Sequence, residues 1–160
     1  MSATDLAADE KFMEMALGLA RSAGTAGEVP VGAVVTFLGE VIGAGANARV
    51  MGADPTAHAE LVALRQAAKA LGSWRLTGAT LYVTLEPCPM CAGGLVAARL
   101  SRLVFAAPDP KSGACGSLYN LCADPRLNHE LPVERGVLEE SARALLVEWF
   151  SAKRDAVSSW

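Results

Sequence analysis

The sequence predicts an α/β fold, a three-layer α-β-α sandwich in which a mixed sheet of five strands carries helices on both faces. Two observations lead to this fold class. Segments with apolar residues three or four positions apart alternate along the chain with short β-rich runs. Strands that alternate with helices form a sheet that is covered on both sides. A chain of 160 residues fits a single domain, expected over 1–160.

The N-terminal part is predicted as a helix followed by a hairpin. Residues 9–23 place apolar side chains on one helical face, and Gly24 is a typical helix end. Two β-rich runs, 31–37 and 41–46, then flank a short turn at 38–40. This pattern is typical of two antiparallel strands.

The central part continues the alternation. A second helix is predicted over 56–71, where leucine and alanine lie on one face. A strand is predicted over 79–85 and another over 102–106. Between them a helix is predicted over 89–100, because Pro89 suits the first turn of a helix.

The C-terminal part is less regular. A polar stretch with glycine and proline follows Pro108, and a short helix is predicted within it at 117–121. A last strand is predicted over 133–137 and a last helix over 138–153.

Composition and charge exclude several classes of protein. With 52% hydrophobic and 19% charged residues, the chain cannot be intrinsically disordered. Its net charge of −3 means that a nucleic acid would have to be held by a local patch. The longest apolar stretches are far shorter than the ~20 residues of a membrane span, and the acidic N-terminus does not resemble a secretory signal. The cytoplasm is therefore the expected compartment.

Two short motifs contain candidate metal ligands. His58 opens the second predicted helix, and Cys88 and Cys91 form a Cys-x-x-Cys pair at the start of the third. Such a pair indicates metal or redox chemistry in an intracellular protein. Imidazole and thiolate are preferred zinc ligands, and three protein ligands leave the fourth position open to water, as in catalytic zinc sites. The remaining candidates for a fourth ligand, which a structural zinc site would need, are Cys115, Cys122 and His129.

Glu60 and Asn47 complete the candidate chemistry. Glu60 lies two residues after His58, and a carboxylate beside a zinc-bound water is suited to proton transfer. Side chains in a first helical turn lean toward the helix N-terminus, so both residues can reach a metal beyond the helix end. Asn47 follows the second strand, where asparagine often does no more than shape a turn.

These motifs together resemble the signature of the zinc-dependent nucleobase deaminases, which is a His-x-Glu triplet followed by Pro-Cys-x-x-Cys. The resemblance is closest to the bacterial tRNA-specific adenosine deaminases of the cytidine deaminase superfamily, and it implies the cytidine deaminase-like form of the sandwich. The segments that carry it, in order along nearly the whole chain, are 28–33, 54–60, 81–88, 109–113 and 127–129.

The resemblance implies a specific reaction. The family converts the wobble adenosine of an arginine tRNA anticodon to inosine. One zinc ion per subunit is held by His58, Cys88 and Cys91. Zinc hydroxide attacks C6 of adenine while Glu60 moves protons to the ring and to the amine that leaves as ammonia. The family acts as a homodimer.

Substrate contacts are also implied by the resemblance. Asn47 matches the position that hydrogen-bonds the target base or its sugar, and Val29 and Leu85 match pocket-lining positions. Asp109 and Lys111 match a loop beside the neighbouring nucleotides.

The last predicted helix and the basic residues supply further candidates for binding RNA. Phe150 matches an aromatic position near the flipped-out anticodon, and it and Trp149 are the candidate stacking platforms, of which one is expected to belong to the core. The candidate phosphate contacts are Arg49, Lys111, Arg126, Lys153 and Arg154.

Two other functions remain open from the sequence. A small-molecule deaminase of the same fold would act on guanine, cytosine or a free nucleoside. A non-enzymatic zinc module would bind RNA and have no activity that depends on Glu60.

Overall fold

The computed structural model describes residues 2–158, apart from the side chain of Thr4. Its five strands are β1 (Gly32–Phe37), β2 (Glu40–Ala46), β3 (Thr80–Leu85), β4 (Arg102–Ala107) and β5 (Val133–Arg135). They form one sheet in the order β2-β1-β3-β4-β5. Strand β1 runs antiparallel to β2 and β3, whereas β3, β4 and β5 run parallel. The predicted mixed sheet is confirmed.

Four helices cover the two faces of this sheet. They are α1 (Ala3–Thr25), α2 (Ala59–Leu71), α3 (Pro89–Ala97) and α4 (Glu139–Ser158). Successive strand residues point to opposite faces. Val34 therefore packs in the cluster formed with α1 and α4, and Val35 packs in the cluster formed with α2 and α3. The predicted three-layer sandwich is confirmed.

Two glycines in β2 allow α2 to approach the sheet closely. A Cβ atom on Gly43 would lie 2.3 Å from the carbonyl oxygen of Ala63, and one on Gly45 would lie 2.5 Å from that of Ala59. Any side chain at these positions would push the helix away, so glycine is required for this packing. The contact fixes the N-terminal end of α2, which carries the first candidate metal ligand, against the sheet.

The first and last helices are longer than predicted. Helix α1 begins at Ala3 instead of residue 9 because Ser2 and Asp5 form a capping box. In it the Asp5 N–H donates to Ser2 Oγ at 3.2 Å and the Ser2 N–H donates to Asp5 Oδ2 at 3.1 Å. Helix α4 continues to Ser158 instead of residue 153. These extensions are mostly solvent-exposed, so the apolar pattern did not include them.

The two central helices are shorter than predicted. Helix α2 begins at Ala59 instead of residue 56, because the N–H and hydroxyl of Thr56 both donate to Asp54 Oδ1, at 2.8 and 2.7 Å, in a local turn. Helix α3 ends at Ala97 instead of residue 100, and Arg99 has a left-handed φ of 58° that is incompatible with a continuing helix.

The short helix predicted at 117–121 is wrong. The chain there folds back as a loop in which the Leu118 N–H donates to the Gly113 carbonyl at 2.9 Å, and a single 3₁₀ turn follows at Leu121–Ala123. The last strand ends at Arg135 instead of residue 137 because Gly136 has a φ of 92°. The other strand ends match the prediction or differ from it by one residue.

A buried polar cluster ties α1 to the sheet on the side away from the candidate site. Asp9 is 1% exposed and accepts two hydrogen bonds from Arg102, at 2.8 and 2.7 Å, and one from the Tyr82 hydroxyl at 2.8 Å. Arg102 also donates to both oxygens of Glu134. The cluster therefore joins a helix to three strands, and its central carboxylate, Asp9, is shielded from water.

We expect Asp9→Ala to lower the free energy of unfolding by about 2 kcal/mol, because it leaves the Tyr82 hydroxyl and one side of Arg102 without their acceptor. Chemical denaturation of this variant and of Glu14→Ala, on the exposed side of the same helix, measures the difference. Equal stability of the two variants would show that the cluster contributes nothing.

Candidate metal centre and active-site cavity

The candidate metal ligands lie at the N-termini of two helices. His58 is the N-cap residue of α2, Cys88 is the N-cap residue of α3, and Cys91 lies in the first turn of α3. Strand β3 leads into α3. Pro89 occupies the first turn of α3, where a backbone N–H would find no acceptor within the helix, and proline has no N–H. Neither N-cap side chain caps its own helix, so both are directed elsewhere.

The three side chains fit a tetrahedral zinc ion. His58 Nδ1 lies 3.6 Å from Cys88 Sγ and 3.5 Å from Cys91 Sγ, and the three ligand atoms lie within 4.8 Å of one another. Zinc bonds of about 2.0 and 2.3 Å to nitrogen and sulfur at a tetrahedral angle predict separations of about 3.6 Å. Within residues 2–158, no fourth His, Cys, Asp or Glu joins this group. The donor set is that of an open, catalytic zinc site.

The surroundings of Cys88 favour its thiolate form. The pKa of Cys88 is lowered to about 5, mainly by a hydrogen bond from the Cys91 thiol, and further by backbone N–H groups of α3 and by His58. The helix N-terminus thus presents a negative sulfur toward the position that a cation would occupy.

Glu60 lies beside the three ligands and is almost fully buried, with 4% of its surface exposed. Burial, with a smaller contribution from the charge of Cys88, raises the pKa of Glu60 from 4.5 to about 7. At such a pKa a carboxyl group can both accept and donate a proton near neutral pH. The geometry therefore agrees with the predicted proton-transfer role.

A cavity of about 480 Å³ opens onto these residues. It is lined by His58, Glu60 and Cys88, whereas Cys91 lies behind them and is fully buried. All six predicted substrate contacts also line it, namely Val29, Asn47, Leu85, Asp109, Lys111 and Phe150. The structure thus brings together residues that are as far apart in sequence as Val29 and Phe150. Their individual roles stay predictions.

Comparison with known proteins gives the family. Residues 7–141 match the MafB19-like deaminase family. The chain is 49% identical over 146 residues to the tRNA-specific adenosine deaminase of Bacillus subtilis, covering 91% of each protein. It is 49% identical over 148 residues to that of Haemophilus influenzae, covering 92% of this chain and 86% of the relative. The chain belongs to the tRNA-specific adenosine deaminases.

Solved structures agree with this assignment. A chain from a structural study of A-to-I editing by tRNA:A34 deaminases superimposes with a TM-score of 0.83 at 46% identity, covering 85% of this deaminase and 99% of that chain. The guanine deaminase of Nitrosomonas europaea gives 0.73 at 30% identity, covering 88% and 83%. The deaminase fold is therefore shared with enzymes that act on free bases.

Asn47 bridges two elements of the deaminase site. Its Nδ2 donates to the Val29 carbonyl at 3.1 Å, and its Oδ1 accepts from the Ala59 N–H at 2.9 Å, at the start of α2. These partners lie 18 and 12 positions away in the sequence, so Asn47 joins separate elements and these bonds do not shape a local turn. An amide group offers two donor hydrogens and two acceptor lone pairs. These two bonds leave one of each unused, and Asn47 lines the cavity, which is compatible with the predicted contact to the substrate.

Two buried carboxyl groups at the site were missed by the sequence analysis. Glu28 is 3% exposed, and its Oε1 accepts from the N–H groups of Val50 and Met51, both at 2.8 Å. Glu86 is 2% exposed and lines the cavity next to Leu85. The available signal was a lone acidic residue at the edge of an apolar run: Glu86 directly follows β3, and Glu28 lies four positions before β1.

The remaining cysteines and His129 do not take part in the metal centre. Cys115 and Cys122 are buried free thiols with their sulfur atoms 3.7 Å apart. His129 Nε2 lies 2.6 Å from the Leu100 carbonyl oxygen, so His129 is a hydrogen-bonded loop residue.

The two aromatic residues of α4 play different roles. Trp149 is partly buried, and its Nε1 donates to the Gly24 carbonyl at 3.2 Å, so it anchors α4 to α1. Lys153 covers the same ring at 5.1 Å from its centroid. Phe150 packs edge-on against Trp149 and is 44% exposed at the cavity. Of the two, Phe150 is the one available for stacking.

The candidate phosphate contacts are spread unevenly. Arg49 and Lys111 line the cavity. Arg126 forms an ion pair with Asp124, with Nη2 2.7 Å from Oδ2. Arg154 donates to a serine hydroxyl in its own helix. The positive charge nearest to the reacting centre therefore comes from Arg49 and Lys111.

Proposed function

We propose that this protein is a tRNA adenosine deaminase that hydrolyses the wobble adenosine of an arginine tRNA anticodon to inosine and ammonia. The observation that carries the proposal is the open His58, Cys88 and Cys91 ligand set beside the buried carboxyl group of Glu60, in a cavity large enough for one base. Two relatives at 49% identity, named tRNA-specific adenosine deaminases, support the choice of substrate.

The chemistry follows from the residues of the site. A zinc ion held by the three ligands would activate a water molecule as the nucleophile at C6 of adenine. The Glu60 carboxylate accepts one proton from the attacking water and delivers it to the ring nitrogen N1. It then accepts the proton of the hydroxyl group added at C6 and delivers it to the amine as the C6–N bond breaks. Water is added and ammonia leaves, so the reaction needs no redox partner. The enclosed position of Glu60 limits exchange of these protons with bulk water.

The other cavity residues bind and orient the nucleoside. Val29 and Leu85 supply apolar walls for the flat base. Asn47 hydrogen-bonds the base or its sugar through its remaining donor and acceptor. Asp109 and Lys111 lie beside the neighbouring nucleotides.

Phe150 provides an exposed ring on which an unstacked base can stack. A base must leave its stack to enter such a cavity, and this costs least in a single-stranded loop. The anticodon loop satisfies that condition. Arg49 and Lys111 are the proposed phosphate contacts at the cavity mouth.

A homodimer and a cytoplasmic location stay predictions of the resemblance. An apolar groove between α2 and α3, lined by Leu61, Ala68 and the exposed Trp74, is the surface that supports self-association. None of the helices in residues 2–158 has the length and apolar character that a membrane span requires.

The alternative function is deamination of a free base, and the similarity to guanine deaminases favours it as the second candidate. We expect the zinc-loaded protein to form inosine at the wobble adenosine of an arginine-tRNA anticodon stem-loop. We expect no ammonia release from free guanine or cytosine. Nucleoside analysis of the RNA and an ammonia assay measure the two activities.

A stem-loop of the same sequence with guanosine at the wobble position is the control, and it should stay unchanged. Rapid turnover of free guanine with an unmodified adenosine stem-loop would assign the protein to the alternative function.

A further inference from the structure

We propose that Glu86 is a positioning residue that fixes the side of the cavity formed by residues 108–117, here called the wall segment. The inference deepens the proposed function and rests on it. It assigns to Glu86 no contact with substrate or metal. Glu86 acts instead through Ser117 and Gly113 of the wall segment, and in this way it governs capture of the RNA.

The backbone of Glu86 is held rigidly next to the metal centre. Glu86 directly follows β3, and its N–H donates to the Ala107 carbonyl at the end of β4, at 2.8 Å. It lies two positions before Cys88. Any group that hydrogen-bonds to the Glu86 side chain therefore has a fixed position relative to the metal ligand Cys88.

The side chain of Glu86 reaches into the wall segment. Oε1 accepts a hydrogen bond from Ser117 Oγ at 2.8 Å. Oε2 packs against Gly113, since a Cβ atom added to Gly113 would lie only 1.3 Å from it. Nearby, the Ala114 N–H donates to the Pro87 carbonyl at 2.8 Å. The carboxyl group and this single backbone bond are the attachments that join the segment to residues 86–87.

The wall segment is tied together internally, so it is expected to move as a unit. Asp109 Oδ1 accepts from the N–H groups of Lys111 and Ser112, at 3.0 and 3.2 Å. The Gly113 N–H donates to the Asp109 carbonyl at 2.8 Å. Asp109, Lys111 and Ser112 all line the cavity. The Leu118 N–H, next to Ser117, donates to the Gly113 carbonyl at 2.9 Å, so a change at Ser117 is passed through Gly113 to the side chains that face the substrate.

The burial of the Glu86 carboxyl group is not explained by a gain in folding stability. Within residues 2–158, no donor hydrogen-bonds to its buried Oε2. A buried polar atom that is incompletely hydrogen-bonded costs stability, and costs of this kind are found at functional sites. A positioning role in the cavity wall accounts for a buried carboxyl group at this position.

The test is Ser117→Ala, which removes the donor while leaving Glu86 and the metal ligands unchanged; Ser117 is exposed, so the variant is expected to fold. Losing one hydrogen bond to a carboxyl group should raise KM for the anticodon stem-loop about tenfold, because the wall must be ordered during binding. We expect kcat to change by less than about twofold, since the reacting groups are untouched. Zinc content should not change, and Ser117→Thr, which keeps the hydroxyl, should restore KM.

Hydrogen–deuterium exchange supplies a readout that does not depend on activity. Amides of residues 109–119 should exchange several-fold faster in Ser117→Ala, whereas those of α2 should not change. Ser22→Ala is the matched control, because the Ser22 hydroxyl donates to the Gly18 carbonyl of its own helix, and it should leave both measurements unchanged. In a Glu86→Ala background, Ser117→Ala should raise KM no further, because the bond is already lost.

The outcomes separate this inference from the proposed function. A wild-type protein that forms no inosine in the stem-loop overturns the proposed function and this inference with it. If the wild type is active, an unchanged KM in Ser117→Ala overturns the inference alone. A further rise in KM when Ser117→Ala is added to Glu86→Ala also overturns it, because Ser117 would then contact the RNA directly.

Discussion

Glu60→Gln is expected to lower kcat by about 10³-fold with little change in the bound zinc, because a positioned general acid–base group contributes about 10²- to 10⁴-fold. The glutamine side chain has the same shape and fills the same buried space, but it cannot accept and return a proton. The three metal ligands stay in place, since Glu60 is not one of them. Steady-state kinetics on the anticodon stem-loop and elemental analysis of zinc measure the two quantities.

A surface substitution of the same kind controls for the loss of charge. Glu14→Gln lies on the exposed side of α1 and should keep wild-type kcat and zinc. Glu60→Ala should behave like Glu60→Gln in activity, with the added cost of a small void. Unchanged turnover in either Glu60 variant, or loss of zinc from Glu60→Gln, would refute the proton-transfer role. A non-enzymatic zinc module would likewise be unaffected by these changes.

The sequence predicted the part of the site that is local in the chain. The positions of His58 and Cys88 at helix starts follow from short-range signals: an apolar helical face after the first, and a proline directly after the second. Their ligand chemistry follows from residue type. The sandwich follows in the same way, because alternating strands and helices have few other ways to bury their apolar faces.

Long-range polar partners could not be predicted. Glu28 accepts hydrogen bonds from the backbone of Val50 and Met51, and Glu86 accepts one from Ser117, so residues more than 20 positions apart are joined through single atoms. No periodicity marks such pairs. The clustering of the predicted substrate contacts around one cavity was also not derivable from spacing, and it was reached only through the family resemblance.

Segments without a repeating apolar pattern account for the wrong local predictions. Residues 117–121 contain only two good helix formers, Leu118 and Leu121, and the bonds between Gly113 and Leu118 and between Ser117 and Glu86 fold them into a loop. Tertiary contacts override weak propensity in such short stretches. The start of helix α1 is placed too late by the apolar pattern for the opposite reason. Local hydrogen bonds in the capping box of Ser2 and Asp5 stabilise a first turn that buries almost no apolar surface.

Cys91→Ala should lose both zinc and activity, and a second buried cysteine provides a matched control. Cys91 and Cys122 are both fully buried, so each change to alanine removes one sulfur atom from the interior at a similar packing cost. Only Cys91 belongs to the ligand set. Loss of a residue that only hydrogen-bonds to a metal ligand weakens metal binding about 10- to 100-fold. Loss of the ligand itself should therefore weaken zinc binding by more than about 100-fold.

The loss of zinc should also be visible in stability. A ligand at 100 times its Kd stabilises the folded state by about 2.7 kcal/mol, so the wild type and Cys122→Ala should lose thermal stability when a chelator is added. Cys91→Ala should melt at the same temperature with and without the chelator. Elemental analysis should give one zinc per chain for the wild type and for Cys122→Ala. A Cys91→Ala protein that still carries one zinc per chain would mean that the metal is held elsewhere, and the active-site assignment would then fail with it.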